Sequence, residues 1–320
     1  MTGIELTPDA PVSEVAALGE RAESAGFETA FVSSHYNNRD PFQALAALAD
    51  ATSSVRLGPG VVNPYDVHPV RLASQAATLD ETSGGRAVFG VGAGDRSTLR
   101  NLGVERERPL RRVLETIRVS RRLWAGERVT HDGTFAAREA GLNYEPSSIP
   151  AYVGAQGPGM LRMAAKHADG VLYNASHPRD VAWAAERVDE GLVERPDSRG
   201  EFEFAVFASV SVAADADAAR EAARPPVAFI AAGAPDEVLS RHDIDADAAR
   251  AVGDAIERGD FEDAFGRVTP AMIDAFAAAG TPEEVAARAA ALRERADTVV
   301  CGSPLGPDRA TAIGLLGDAL

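Results

Sequence analysis

Short apolar runs alternate with helix-periodic stretches along the whole chain. Residues 3–6 predict a first strand. Residues 13–25 predict a helix with Val15, Leu18 and Ala22 on one face and Gly26 as its stop. The second strand falls at 29–33, followed by a polar loop and a helix over 41–51. The third runs over 56–62, and its helix, 69–81, opens on Pro69, a residue suited to a first helical turn. Residues 86–92 give the fourth strand, ahead of a long amphipathic helix over 109–124. Residues 126–150 hold no long period and read as an excursion or small hairpin. Strands five and six lie at 151–154 and 170–174, each followed by a helix that opens on proline, Pro158 and Pro178. Residues 202–213 alternate and form strand seven. Residues 215–279 are helical with breaks, which marks an insertion. Thr281, Pro282, Glu283 and Glu284 then open a capped helix, and 298–302 is strand eight.

Eight strands, each followed by helix and with no second composition regime, predict a single (β/α)8 TIM barrel domain over residues 1–320, of α/β class with insertions. A doubly wound sheet is the alternative, but Gly92-Ala93-Gly94-Asp95 lacks the third glycine of the dinucleotide fingerprint. A chain of 320 residues with 45% hydrophobic content suffices for one such core. No apolar run approaches the ~18 residues that span a bilayer. The first residues lack a basic segment followed by an apolar one, so the expected location is cytoplasmic.

Composition narrows the chemistry. The one cysteine, Cys301, excludes an internal disulfide framework and a thiol metal cluster, and its apolar neighbours suit a buried small hydrophobe. A formal charge of −16 argues against a nucleic-acid partner. Lysine occurs once, at Lys166, and the acid-rich, alanine-rich composition resembles that of proteins from salt-loving archaea.

In a (β/α)8 barrel, chemistry sits at the C-terminal ends of the strands. Collected there are Glu5 from strand one, the run Ser34-His35-Tyr36-Asn37-Asn38-Arg39 from strand two, and Gly60-Val61 with Asn63 from strand three. Strand four adds Gly92 to Asp95, strand five Gly154-Ala155-Gln156-Gly157-Pro158, strand six Asn174, and strand eight Gly302-Ser303-Pro304. Gly, Asn and Ser dominate, with two carboxylates. No metal-ligand spacing and no Ser-His-Asp arrangement is present. An organic cofactor bound through backbone and neutral groups fits best, with Gly60 able to let a planar ligand approach the backbone.

These runs, with Gly58-Pro59-Gly60-Val61-Val62-Asn63-Pro64-Tyr65 and Gly302-Ser303-Pro304-Leu305-Gly306-Pro307-Asp308, closely resemble the F420-dependent methylenetetrahydromethanopterin reductases of the bacterial luciferase-like superfamily. One departure is Ser34, where that family usually has Asp. The resemblance implies a luciferase-like barrel that binds coenzyme F420, a deazaflavin hydride carrier, with FMN as the alternative cofactor. It implies a non-proline cis peptide at Gly60-Val61 behind the ring. The implied reaction reduces the methylene group of a tetrahydropterin, methylenetetrahydromethanopterin or methylenetetrahydrofolate, to a methyl group. Glu5 becomes the expected general acid, protonating one of the two nitrogens that flank the methylene carbon. Asp95 would orient the site or relay protons, or else cap the turn after Gly94. Gln156, Gly157 and Pro158 would hold the cofactor phosphate at a helix N-terminus, with Gly302 and Ser303 competing for it. His35 would line the deazaflavin site or serve as a structural hydrogen-bonding group, and Asn63 and Asn174 would touch cofactor. A homodimer or tetramer is the expected assembly. An FMN-dependent monooxygenase and a non-catalytic flavin-binding barrel are the rival readings.

Overall fold

The computed structural model describes residues 1–320. The chain divides into two compact units. The first comprises Gly3–Tyr173 and Glu186–Ala205, and the second Met1–Thr2, Asn174–Ala185 and Val206–Leu320.

The first unit follows the predicted alternation. Its elements are β1 (Thr2–Leu6), α1 (Val12–Ser24), β2 (Thr29–Val32), α2 (Pro41–Ala51), β3 (Arg56–Pro59), α3 (Pro69–Ser83), β4 (Phe89–Gly92), α4 (Arg96–Asn101) and α5 (Pro109–Trp124). The antiparallel hairpin β5 (Val129–Asp132) and β6 (Ala136–Ala140) comes next, then β7 (Ala151–Gly154), α6 (Pro158–His167) and β8 (Gly170–Asn174). β1 pairs with β2, β2 with β3, β4 with β7, and β7 with β8, all parallel. Isolated bridges Leu57↔Ala87 and Val62↔Val91 join the third strand to the fourth. The strands are buried on both faces, as their near-continuous apolar runs require.

Helix ends follow from local chemistry. Asp40 accepts from the Gln43 amide at the start of α2, and Gly84 closes α3 in the left-handed region at φ 69. At the N-terminal ends of the strands, Arg56 of β3 lies 3.3 Å from the Tyr152 hydroxyl of β7 and 3.4 Å from Glu203. Tyr152 also donates to Glu203, and burial together with that carboxylate pushes its phenol well above the usual range. In a barrel this face serves stability rather than chemistry.

β9 (Glu203–Val212) has its first three residues in the first unit, and its residues Val210–Val212, in the second, pair in parallel with β10 (Ala278–Gly280). Between them lies the expected helical insertion, α8 (Ala216–Gly233), α9 (Asp236–Arg241), α10 (Ala246–Glu257), α11 (Phe261–Gly266) and α12 (Pro270–Phe276). It has its own core of Val227, Val252, Met272, Ile273 and Phe276 with many alanines. α13 (Pro282–Arg293) starts with the anticipated device. Thr281 accepts from the Glu284 amide while the Glu284 carboxylate accepts from the Thr281 amide. β11 (Thr298–Leu305) and α14 (Arg309–Ala319) complete the unit. Cys301 is buried in β11, and burial pushes its thiol up to about 12. The helix α7 (Pro178–Leu192) has residues in both units. No helix is long and apolar enough to cross a membrane.

Several boundaries differ from the sequence expectation. β3 stops at Pro59 and only Val62 rejoins the neighbouring strand, because the Gly60-Val61 kink breaks the ladder. β4 begins at Phe89, three residues late, and β11 runs on to Leu305. The short α4 and β10 have no counterpart in the expectation. α4 buries only Thr98 and Leu99, too few for a period to register.

Candidate active site

The ends of β1 to β4 bring one group of expected residues together in the first unit. Glu5 pairs in register with Phe31 of β2 and is 4% exposed, and the Thr7 hydroxyl donates to its Oε1 at 2.9 Å. A carboxyl group removed from water on a rigid strand is positioned far better than one on a loop.

The peptide between Gly60 and Val61 is cis, as the resemblance implies. It carries the Val61 side chain toward β4 and β7, where glycines make room. A Cβ on Gly92 would lie 2.7 Å from a Val61 methyl, and one on Gly154 2.9 Å. A Cβ on Gly90 would stand 1.9 Å from the Pro59 carbonyl oxygen. The glycines of Phe89-Gly90-Val91-Gly92 and Val153-Gly154 therefore serve close approach of the kink. Asn63 is buried and its Oδ1 accepts from the amides of Tyr65 and Asp66, which fixes the turn after the kink.

Asp95 caps α4. Its Oδ1 accepts from the Thr98 amide at 2.8 Å, from the Thr98 hydroxyl at 3.0 Å and from the Ser97 hydroxyl. Burial works to raise its pKa, but these hydrogen bonds outweigh burial and hold the carboxyl below the usual carboxylate range. The Thr98 hydroxyl also lies 2.8 Å from Nε2 of His35, and Nδ1 of His35 contacts Asn37 Oδ1. His35 and Asp95 thus share Thr98, a buried residue that sequence reasoning missed because it sits in the unforeseen α4. The signal available was the Asp-x-x-Thr spacing of Asp95 and Thr98.

Gln156, Gly157 and Pro158 lie exposed at the start of α6. Gly157 is the N-cap and supplies no side chain, and no atom lies within 4 Å of where its Cβ would be. Among the first amides, Met160 and Leu161 bond back to the Gly157 carbonyl. Those of Gly157 and Gly159 point from an uncapped helix start, the donor set an anionic oxygen requires.

The second unit holds the remaining candidates. Asn174 is exposed at the end of β8. Gly302 is buried in β11, and the Ser303 carbonyl accepts from the Ser209 hydroxyl at 2.9 Å ahead of a cis Ser303-Pro304 bond. The helix that follows, α14, is closed by Asp308, whose carboxylate accepts from the Thr311 amide. A carboxylate already seated at that N-terminus disfavours an anion there, in contrast to α6.

Residues 2–298 match the family described as luciferase-like monooxygenase. The structure is similar to that of the coenzyme F420-dependent tetrahydromethanopterin reductase of Methanopyrus kandleri, with a TM-score of 0.93 at 38% identity, covering 100% of this chain and 97% of that one. The class is therefore the α/β, luciferase-like (β/α)8 barrel that the strand and helix pattern predicts. An F420-dependent secondary alcohol dehydrogenase shares this fold with a TM-score of 0.77 at 20% identity, covering 100% of this chain and 98% of that one. A 5,10-methylenetetrahydromethanopterin reductase of Archaeoglobus fulgidus is 45% identical over 321 residues, 98% of this chain and 97% of its own length. Another from Methanolobus tindarius is 42% identical over 98% of both chains. The chain belongs to the 5,10-methylenetetrahydromethanopterin reductase family within the luciferase-like barrels.

Proposed function

We propose that this protein is an F420-dependent oxidoreductase, a single barrel domain over residues 1–320, that interconverts 5,10-methylenetetrahydromethanopterin and its 5-methyl form. The observation that carries this reading is full-length identity of 40–45% to relatives named for that reaction. It is joined by Glu5 buried on a strand end beside the site turns. Those relatives are named for the methanopterin carrier, which favours it over methylenetetrahydrofolate.

The residues present fit the cofactor. The kink at Gly60-Val61, its methyls seated against Gly92 and Gly154, offers a bulge to back a planar ring, with Asn63 fixing the turn behind it. Gly157 and Gly159 offer free amides to its phosphate, and Gln156 and Pro158 flank them. On motif resemblance alone, Asn174, Gly302 and Ser303 of the second unit are further candidates for cofactor contact. When bound, F420 supplies the hydride.

This chain's own residues do the rest. Glu5, buried at the end of β1, is the group assigned to pass a proton to a substrate nitrogen when the methylene bridge opens. Asp95 stays ionised and orients, through Thr98, the imidazole of His35. The protein acts in the cytoplasm as a homo-oligomer.

A spectrophotometric assay in molar salt tests this, with reduced F420 and each pterin carrier in turn. Deazaflavin reoxidation with methylenetetrahydromethanopterin alone is the expected result. Reoxidation with the folate alone would reassign the substrate, and binding of FMN with no reoxidation would overturn the cofactor.

A further inference from the structure

We propose that a basic cavity beside α4 is a subsite for the polyanionic tail of a bound reactant, a substituent carrying several carboxylates or phosphates. The cavity, of about 580 Å³, is lined by Arg96, Leu99, Arg100, Val104, Glu105 and Arg106, with Gly103 and Pro109 at its edge. Three arginines against one glutamate give it positive charge in a chain whose formal charge is −16.

None of the three arginines takes part in an ion pair or a side-chain hydrogen bond. That contrasts with neighbouring arginines of the same unit. Arg111 is held by Glu115 at 2.6 Å, and Arg112 donates to the Pro64 carbonyl at 2.7 Å and covers the Tyr65 ring. The Nε of Arg106 is buried with no acceptor. A buried guanidinium N–H left without a partner is costly, and a carboxylate or phosphate oxygen satisfies it in the geometry guanidinium prefers. The cavity lies in the ~300–1,000 Å³ range of organic ligand pockets and is far larger than a single inorganic ion. Several spread charges therefore match it better than one.

Its walls are tied to the candidate site. Thr98, next to Leu99 on α4, contacts His35 at 2.8 Å, and Asn101 donates to the Tyr36 hydroxyl at 3.2 Å. Below, the Tyr65 hydroxyl donates to the Glu107 carbonyl at 2.6 Å, one residue past Arg106, while the Tyr65 amide donates to Asn63. The two segments that carry the arginines are thus hydrogen-bonded to the turns after β2 and β3. A charged substituent of a ligand seated on those turns would reach the cavity along these hydrogen-bonded segments. The identity of that reactant as cofactor or pterin rests on the reductase reading, but the anion site does not.

The test is calorimetric binding of two probes, tri-γ-glutamate and tripolyphosphate, to the full-length protein and to Arg100→Gln and Arg106→Gln, at stepped potassium chloride. Binding of either probe, weakened about tenfold in each variant, supports the subsite. The preferred probe tells a carboxylate tail from a phosphate. Failure of both probes to bind, or equal binding by the variants, overturns it. Arg100 is exposed on α4, so its variant carries the test should Arg106→Gln misfold. Because the readout is binding, a protein that holds the probes but turns over no pterin would sink the reductase reading alone. In an active enzyme, both variants should raise the KM of the tailed reactant.

Discussion

Two acidic side chains end strands in the same unit, and their surroundings have opposite consequences. Glu5 is 4% exposed on β1, with the Thr7 hydroxyl donating to one oxygen. Asp95 sits exposed at the start of α4, where hydroxyl and amide donors hold it ionised. A carboxylate ringed by donors at a helix N-terminus resists protonation and suits orientation. One buried on a rigid strand is held at a fixed place, as a group that must face a substrate requires. The same contrast separates two helix starts. α4 is closed by its own carboxylate, whereas α6 begins at Gly157 with no cap and leaves room for an external anion.

The largest effect is expected of Glu5→Gln. It should lower turnover by about a thousandfold while cofactor binding persists, read by steady-state kinetics beside a binding titration. Unchanged turnover would end the acid assignment. Next in size, Gly157→Asp would place a carboxylate where α6 now stands open. Cofactor affinity should fall about tenfold, with thermal stability unchanged or slightly raised. Equal affinity would move the phosphate elsewhere. For Asp95, Ala should cost about 1 kcal/mol in denaturant unfolding, whereas Asn, an equally good cap, should preserve both stability and turnover. Should Asp95→Asn keep its stability but lose turnover, Asp95 would be a proton relay after all.

A pH effect marks the case in which burial prevails. His177 in the second unit is pushed down to about 4, first by burial and then by the charges of Arg288 and His242, against the opposing pull of Asp180. Its folded pKa lies below its unfolded one, so the unfolded chain binds the proton more readily. The stability it contributes is present above about 6.5 and is lost as pH falls from there toward 4. Unfolding midpoints measured across that window should fall less in His177→Gln than in the native protein.

Much of this was legible in the sequence because strands and helices announce themselves by period. The helix at Pro109–Trp124, the hairpin within residues 126–150, the insertion with its own core, and the capping box at Thr281 all depend on neighbours close in the chain. Motif resemblance likewise carried the Gly60-Val61 cis peptide. What local pattern could not carry was α4, six largely polar residues whose helix is stabilised by the Asp95 cap and by contacts to His35 and Tyr36 far away in sequence.

Local spacing and residue type thus carried the alternation of the main strands and helices, the barrel class and the family. The tertiary structure alone decided that Asp95 and His35 meet at Thr98, that Gly92 and Gly154 accommodate Val61, and that Arg96, Arg100 and Arg106 face one cavity. Those depend on distances between segments remote in the chain, set by packing of the whole unit and by the hydrogen bonds that pin its turns.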